Sequence, residues 1–363
     1  MARWQPRRCR DTTDWRTTPR VQSLLAQRLT GAILHIKHWC SVRDGAVHWP
    51  RGGAPSQAWF RLGEKWALEF LRMERFMTNT ADDKPIAYEQ RVILFLDFLG
   101  FKEIVEKTTT DPKRLAALLR AIRFVTVLKP DEADIGKQVS QFSDSVVVSY
   151  PVSETSSVFT LVYDVALLII DLADAGFLVR GAITFGLLIH ADEYLVGPAM
   201  IRAYEMESKE AKYPRVLIDP RIVKIAWKYH APQNSPKVEA DYVRDLMTKD
   251  DDGKFFYDYI SWHSVVSEAG IRAGGYDTYL ANIGRLVKRG LRNKDAHVKE
   301  KYLWLHKRYV ASIAEILKQP KKSPWYQENI GVVAVVKGLP KFKKLARSAK
   351  RAVASAARKS GTT

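Results

Sequence analysis

This sequence predicts an α/β fold, and three observations carry the prediction. With 363 residues and 46% hydrophobic content, the chain can bury a substantial core. Runs rich in β-branched and aromatic residues, RVILFL at 91–96 and VVVSY at 146–150, alternate with stretches of helical period. The charge lies outside this patterned part: of a formal +18, residues 1–85 carry +7 and residues 337–363 carry +9, leaving +2 for 86–336.

Residues 91–96 read as a buried strand. Pro112 to Leu128 reads as a helix with Leu115, Leu118, Leu119, Ile122 and Val125 on one apolar face. Asp111 is its expected N-cap, and Pro112 fits the first helical position. A strand over Val139–Phe142, a polar turn at Ser143 and a strand over Val146–Tyr150 put Asp144 at a hairpin tip. Val158–Ala175 is a second helix, which Gly176 is suited to end. Val179–Ile189 follows as a strand pair or one bent strand. Pro198–Lys212 is then a helix, and Val216–Asp219 a strand. That order describes a ferredoxin-like sandwich, with a mostly helical region after it.

The two ends read differently. Residues 1–85 form a basic extension rich in Arg and Trp near its start, where only Val21–His38 suggests a helix. Met73 and Met77 precede the first clear strand, and one reading starts the working protein there, leaving the extension out of the native product. Residues 337–363 read as a basic tail. Such a segment is either solvated or a helix that meets anionic lipid or nucleic acid, and the solvated reading is favoured. Cys9 and Cys40 are the two cysteines, so neither a disulfide framework nor a Cys/His zinc site is readable, and a cytoplasmic setting is expected. The apolar stretch Val158–Leu172 is broken by Asp164 and Asp171 and falls short of a membrane span.

Asp97 ends an otherwise apolar strand, and burying a carboxylate is costly unless a cation meets it. Asp144 is a second carboxylate beside a β-branched run. Two such groups near a strand-to-helix turn suit metal-assisted phosphoryl chemistry. Other signals are weaker. His190 reads as a packed or surface histidine, 249–252 as a solvated turn without calcium-loop spacing, and Tyr302, Trp304 and Tyr309 as core packing.

The order FLDFLGF, FSDS, RGAITFG and YLVGPAMIRAYEME resembles the class III nucleotidyl cyclase catalytic domain. FLDFLGFK, QFSDS and GPAMIRAYEMESKEAKYPRVLID are similar in particular to the pyrimidine cyclases of the Pycsar antiphage system, as are KDDDGKFFYDYI and VKEKYLWLHKRYV downstream. The resemblance implies a class III cyclase domain over 86–225, a helical extension over 226–336 and the basic tail. It implies a phosphorus–oxygen lyase acting on a nucleoside triphosphate: UTP to 3′,5′-cyclic UMP and pyrophosphate, with cyclic CMP from CTP or an inactive nucleotide-binding fold as alternatives. It further implies a homodimer with interfacial active sites and a separate effector that answers to the cyclic nucleotide, with no specific nucleic-acid partner.

Carried over residue by residue, Asp97, Asp144 and the Phe98 carbonyl match the positions that hold two divalent ions, Mn²⁺ or Mg²⁺. Leu99, Gly100 and Phe101 match the triphosphate cradle, where a glycine and a helix start favour phosphate. Ser140 stands where purine cyclases carry a base-reading lysine. Ile201 and Glu205 stand where the family carries an asparagine and a transition-state arginine, and neither can stabilise developing negative charge. Arg180, Arg202 and Arg215 are the substitute cations this leaves.

Overall fold

A computed structural model describes residues 41–43, 46–48, 87–126, 128, 136–191, 193–269 and 273–360. The chain divides into two units, Met1–Lys84 and Pro85–Thr363. In the first, β1 (Ser41–Arg43) and β2 (Ala46–His48) pair antiparallel, with Val42 opposite Val47. The expected helix over Val21–His38 and the two internal methionines lie outside the described residues.

The second unit is built on an eight-stranded sheet. Its strands are β3 (Glu89–Phe98), β4 (Gln138–Phe142), β5 (Ser145–Pro151), β6 (Val179–Ala191), β7 (Tyr194–Val196), β8 (Val216–Ile218), β9 (Thr248–Lys249) and β10 (Phe255–Phe256). The order is β4-β5-β3-β6-β8-β10-β9, with β7 against β6. Among the described residues only β6 and β8 run parallel. The first strand of the unit thus sits inside the sheet, which is why its apolar run is continuous: Val92, Ile93, Leu94 and Leu96 are fully buried. Burial of each such side chain stabilises the fold by roughly 1.5–3 kcal/mol.

Even-numbered β3 residues Val92, Leu94, Leu96 and Phe98 join the main core with α1 (Phe101–Thr108), α2 (Pro112–Thr126) and α3 (Ser157–Asp174) on that side. Odd-numbered Ile93 and Phe95 belong to a smaller cluster with Val147, Leu188, Ala199 and Ala203, the last two from α4 (Pro198–Glu205). Gly181 is required between them, because a side chain there would strike the Phe95 carbonyl oxygen. Asp111 caps α2 as expected, its Oδ1 accepting from the amides of Lys113 at 3.0 Å and Arg114 at 3.2 Å. The apolar face of α2 differs from the expected one. Leu118, Ala121 and Val125 are buried, while Leu115 and Leu119 point outward, because the 118/121/125 spacing alone follows the side that meets the sheet.

The predicted helix over Pro198–Lys212 is α4 followed by a π turn, Met206–Glu210. Beyond β8 come α5 (Ile222–Lys228), α6 (Pro236–Asp245), α7 (Ala273–Leu291), α8 (Ala296–Leu317), α9 (Pro324–Glu328), α10 (Ile330–Gly338) and α11 (Lys343–Ser360). Trp304 and Tyr309 of α8 are buried as expected. The basic tail is helical: α11 buries Ala346 and Ala349 against α8 while its lysines and arginines stay exposed, and the Lys341 carbonyl meets His306 Nε2 at 2.9 Å. No described helix is long and apolar enough to cross a membrane.

Candidate functional site

Asp97 faces the smaller cluster's side at the end of β3, opposite Ser145 on β5 and Arg180 on β6. Ser145 Oγ donates to Asp97 Oδ1 at 3.4 Å, and an Arg180 nitrogen lies 3.7 Å from Oδ2. The turn between β4 and β5 brings Asp144 alongside, pinned where its carbonyl accepts from the Phe98 amide at 3.1 Å. Ser143, in the left-handed region at φ 54°, makes this turn tight. Burial, and after it the charge of Asp144, pushes the Asp97 carboxyl above its ordinary range, with Arg180 and Ser145 opposing.

Two groups that sequence reasoning missed complete this cluster. Glu207, in the π turn, is 2% exposed and ion-paired with Arg180. Burial pushes its carboxyl up; Arg180 opposes, and Asp97 and Asp144 add to the rise. Lys301 of α8 is pushed down, first by burial and then by Arg180, against the pull of Asp295, Glu207 and Asp97. Three carboxylates and two cations therefore share one corner of the sheet. π turns recur at functional sites because they re-aim side chains within a helix. No local pattern announces one, so Glu207 left no signal in the sequence.

Beside the carboxylates the chain turns at Gly100, φ 72°, with open space where a side chain would stand. No side chain caps α1, so its first-turn amides face a space that an anion can approach. Leu99 does not belong to such a cradle, since its amide donates to the Leu178 carbonyl at 2.8 Å and is already used. Gly100 and Phe101 remain at the opening, with Phe101 packed on Phe98.

The three substitute arginines part company. Arg180 touches Asp97. Arg202 is exposed on α4 and bonded to Glu210 at 2.6 Å, at the rim of a cleft of about 480 Å³ also lined by Asp219, Arg221 and Lys254. Arg215 corrects the expectation: it is fully buried, held by Asp250 and Asp252 and stacked near Tyr213 and Trp304, leaving no face for a substrate phosphate. The segment 249–252 is accordingly not a simple solvated turn, because Asp250 is buried among Arg215, Arg308 and Trp304. Ser140 faces the same side as Asp97 and bonds His190 Nε2 at 3.0 Å. Ile201 and Glu205 are exposed or partly exposed on α4 and away from any ion pair with Asp97.

A divalent cation fits this corner on physical grounds. Asp97 and Asp144 are adjoining hard oxygen donors whose mutual repulsion a cation would remove, which suits Mg²⁺ or Mn²⁺. Among the described residues no set of three or more His, Cys, Asp or Glu forms a ready ligand cage. The other coordination positions would fall to the Phe98 carbonyl, water or phosphate oxygens.

No family model matches the chain, and no curated protein does. Among solved structures, a bacterial light-regulated adenylyl cyclase aligns at 13% identity and a TM-score of 0.29, covering 59% of this chain and 59% of that one. So loose a superposition says nothing about chemistry, and the site rests on its own geometry.

Proposed function

We propose that this protein is a class III-type nucleotidyl cyclase that converts UTP to 3′,5′-cyclic UMP and pyrophosphate. The observation that carries the reading is the adjoining Asp97–Asp144 pair beside the open helix start at Gly100. The order β6-β3-β5-β4 supports a ferredoxin-like core, since it sets the fourth, first, third and second strands side by side around two helical crossovers. In the reaction the ribose 3′ oxygen bonds to the α-phosphorus, the bond to the pyrophosphate oxygen breaks, and the hydroxyl proton passes to solvent. Asp97 and Asp144 would hold two divalent ions, with the Phe98 carbonyl; bound there, such ions lower the pKa of the 3′ hydroxyl and neutralise charge on the leaving group. The α1 amides orient the phosphates, and Arg180, steadied by Glu207, offers positive charge where the α-phosphate becomes more negative.

Exposed Leu187, Tyr194 and Val196 on β6 and β7, with Ile201 and Tyr204 on α4, support a homodimer. The cyclic nucleotide would act as a messenger to a separate effector in a cytoplasmic antiviral response. A second reading, a nucleotide-binding fold without turnover, is favoured by one observation: Ile201 and Glu205 replace an amide and a cation on α4. Incubating the purified full chain with each of the four ribonucleoside triphosphates and Mn²⁺ separates the two. Cyclic UMP as the main product is expected. Binding without a cyclic product from any of the four would establish the second reading instead.

A further inference from the structure

The helix α11 carries seven lysines and arginines and no carboxylate in its 18 residues, and the reaction above uses none of them. It is anchored by one face. Ala346 and Ala349 are buried, and Leu345 packs against the main core. Just before the helix, Phe342 sits in the left-handed region at φ 47° and stacks on Tyr309, ring centroids 6.1 Å apart. The Tyr309 hydroxyl donates to the Pro340 carbonyl at 3.2 Å. With the bond between His306 and the Lys341 carbonyl, these contacts hold α11 along α8.

Lys343, Lys344, Arg347, Lys350 and Arg351 project from the opposite face, and all five are exposed. From the helical period they fall within a sector of about 120° and a length of about 12 Å. Several exposed cations elsewhere in the chain are met by a carboxylate one turn away: Lys107 by Glu103, Arg114 by Asp111, Lys209 by Glu205 and Lys237 by Asp241. The sequence of α11 offers no such partner, and among the described residues no ion pair reaches these five. A file of cations that the fold holds in place and leaves unneutralised is a prepared surface for a polyanion, because the helix is ordered before the partner arrives.

Two features choose between polyanions. The exposed positions of α11 carry no apolar side chain larger than alanine, so the helix lacks the anchor that an interfacial helix buries in a bilayer. Its charge is also linear. Duplex nucleic acid carries about one negative charge per 1.7 Å of axis, so a length of about 12 Å presents about seven phosphates to the five cations, whereas a bilayer spreads its charge over a plane.

We propose that α11 is a docking surface for duplex nucleic acid and holds its phosphate backbone without reading sequence. Phosphate oxygens accept from the lysine ammoniums and arginine guanidiniums, and such contacts carry no base information. The proposal stands apart from the cyclase reading, since it uses no residue of the carboxylate corner.

The test is fluorescence anisotropy of a labelled DNA duplex of about two helical turns, titrated with the full chain between about 50 and 200 mM salt. Two variants are compared with the wild type. One combines Lys343→Gln, Lys344→Gln, Arg347→Gln, Lys350→Gln and Arg351→Gln. The other combines Lys113→Gln, Arg120→Gln, Lys224→Gln, Lys228→Gln and Lys237→Gln, and so loses the same formal charge from exposed positions on α2, α5 and α6. Glutamine has nearly the helix propensity of lysine and arginine, so both variants should fold, which circular dichroism checks.

Wild-type affinity is expected to fall about 500-fold or more across that salt range, as five phosphate contacts require. The α11 variant should bind at least about 100-fold more weakly near 100 mM salt, with a salt slope shallower by about 4.5, while the control variant keeps the wild-type slope. Equal weakening in the two variants would reduce the effect to net charge and overturn the proposal. A wild-type chain that does not bind the duplex at the lowest salt would overturn it too. Phosphatidylserine vesicles run in parallel: binding to them that depends on α11, with none to the duplex, also overturns it.

Discussion

Two charged clusters lie at opposite ends of the argument between stability and function. Around Arg215, opposite charges meet in the interior. Asp250 receives the Trp304 indole at 2.7 Å, Arg308 at 2.6 Å and Arg215, and Asp252 receives Arg215. Burial alone would push both carboxyls up; instead these bonds hold them below their ordinary range. Around Asp97, like charges meet at the end of β3, and Asp97 and Glu207 are pushed up. The first cluster is satisfied by its own chain and ties the sheet to α8. The second is left with an excess of carboxylate that an added cation would relieve. Charge that the fold does not neutralise marks the place where a ligand is expected.

That contrast can be broken by substitution. Asp97→Asn is expected to cut product formation by about a thousandfold or more while leaving the melting temperature equal or higher, since it removes repulsion with Asp144. Parallel product assays and thermal unfolding check it, and a marked loss of stability with activity retained would reverse the assignment. Arg215→Met should behave oppositely, lowering unfolding free energy by about 3–5 kcal/mol because Asp250 and Asp252 lose their shared partner. Urea titration measures it.

A smaller effect belongs to His190. Its folded value of about 4 lies below the unfolded 6.5, so the unfolded chain takes up a proton first as pH falls. The stability contributed by keeping the ring neutral is present above pH 6.5 and is lost as pH falls from 6.5 to 4, by up to about 3 kcal/mol. The difference between wild type and His190→Gln, followed by urea unfolding across that window, isolates this part. A difference independent of pH would contradict the buried neutral ring.

Much of the frame was legible because it is local. Apolar alternation and runs located β3 and β5, and Asp111 and Gly176 marked where α2 begins and α3 ends. The pairing of Asp97 with Asp144 followed from two strands and the turn between β4 and β5. What escaped depends on contacts between distant positions or on elements too short for a period. Lys301 reaches the site from α8, Asp250 meets Arg215 across 35 residues, and β9 and β10 are two residues each. One signal was available and unused. Arg91 opens the same apolar strand that Asp97 closes, six residues away and so on the same side, where a buried charge calls for a partner. Arg215 misled for a related reason: its place in a motif reveals a cation but not whether two aspartates already hold it.

The central claim is that Asp97 and Asp144 form a cation site in the nucleotide-bound protein. Electron paramagnetic resonance of Mn²⁺ titrated into the full chain with 3′-deoxy-UTP, which cannot cyclise, tests it most directly. Loss of the free-ion signal in the wild type, abolished in Asp97→Asn and in Asp144→Asn while both remain folded, is the predicted result. Mn²⁺ binding with unchanged affinity in both variants would contradict it.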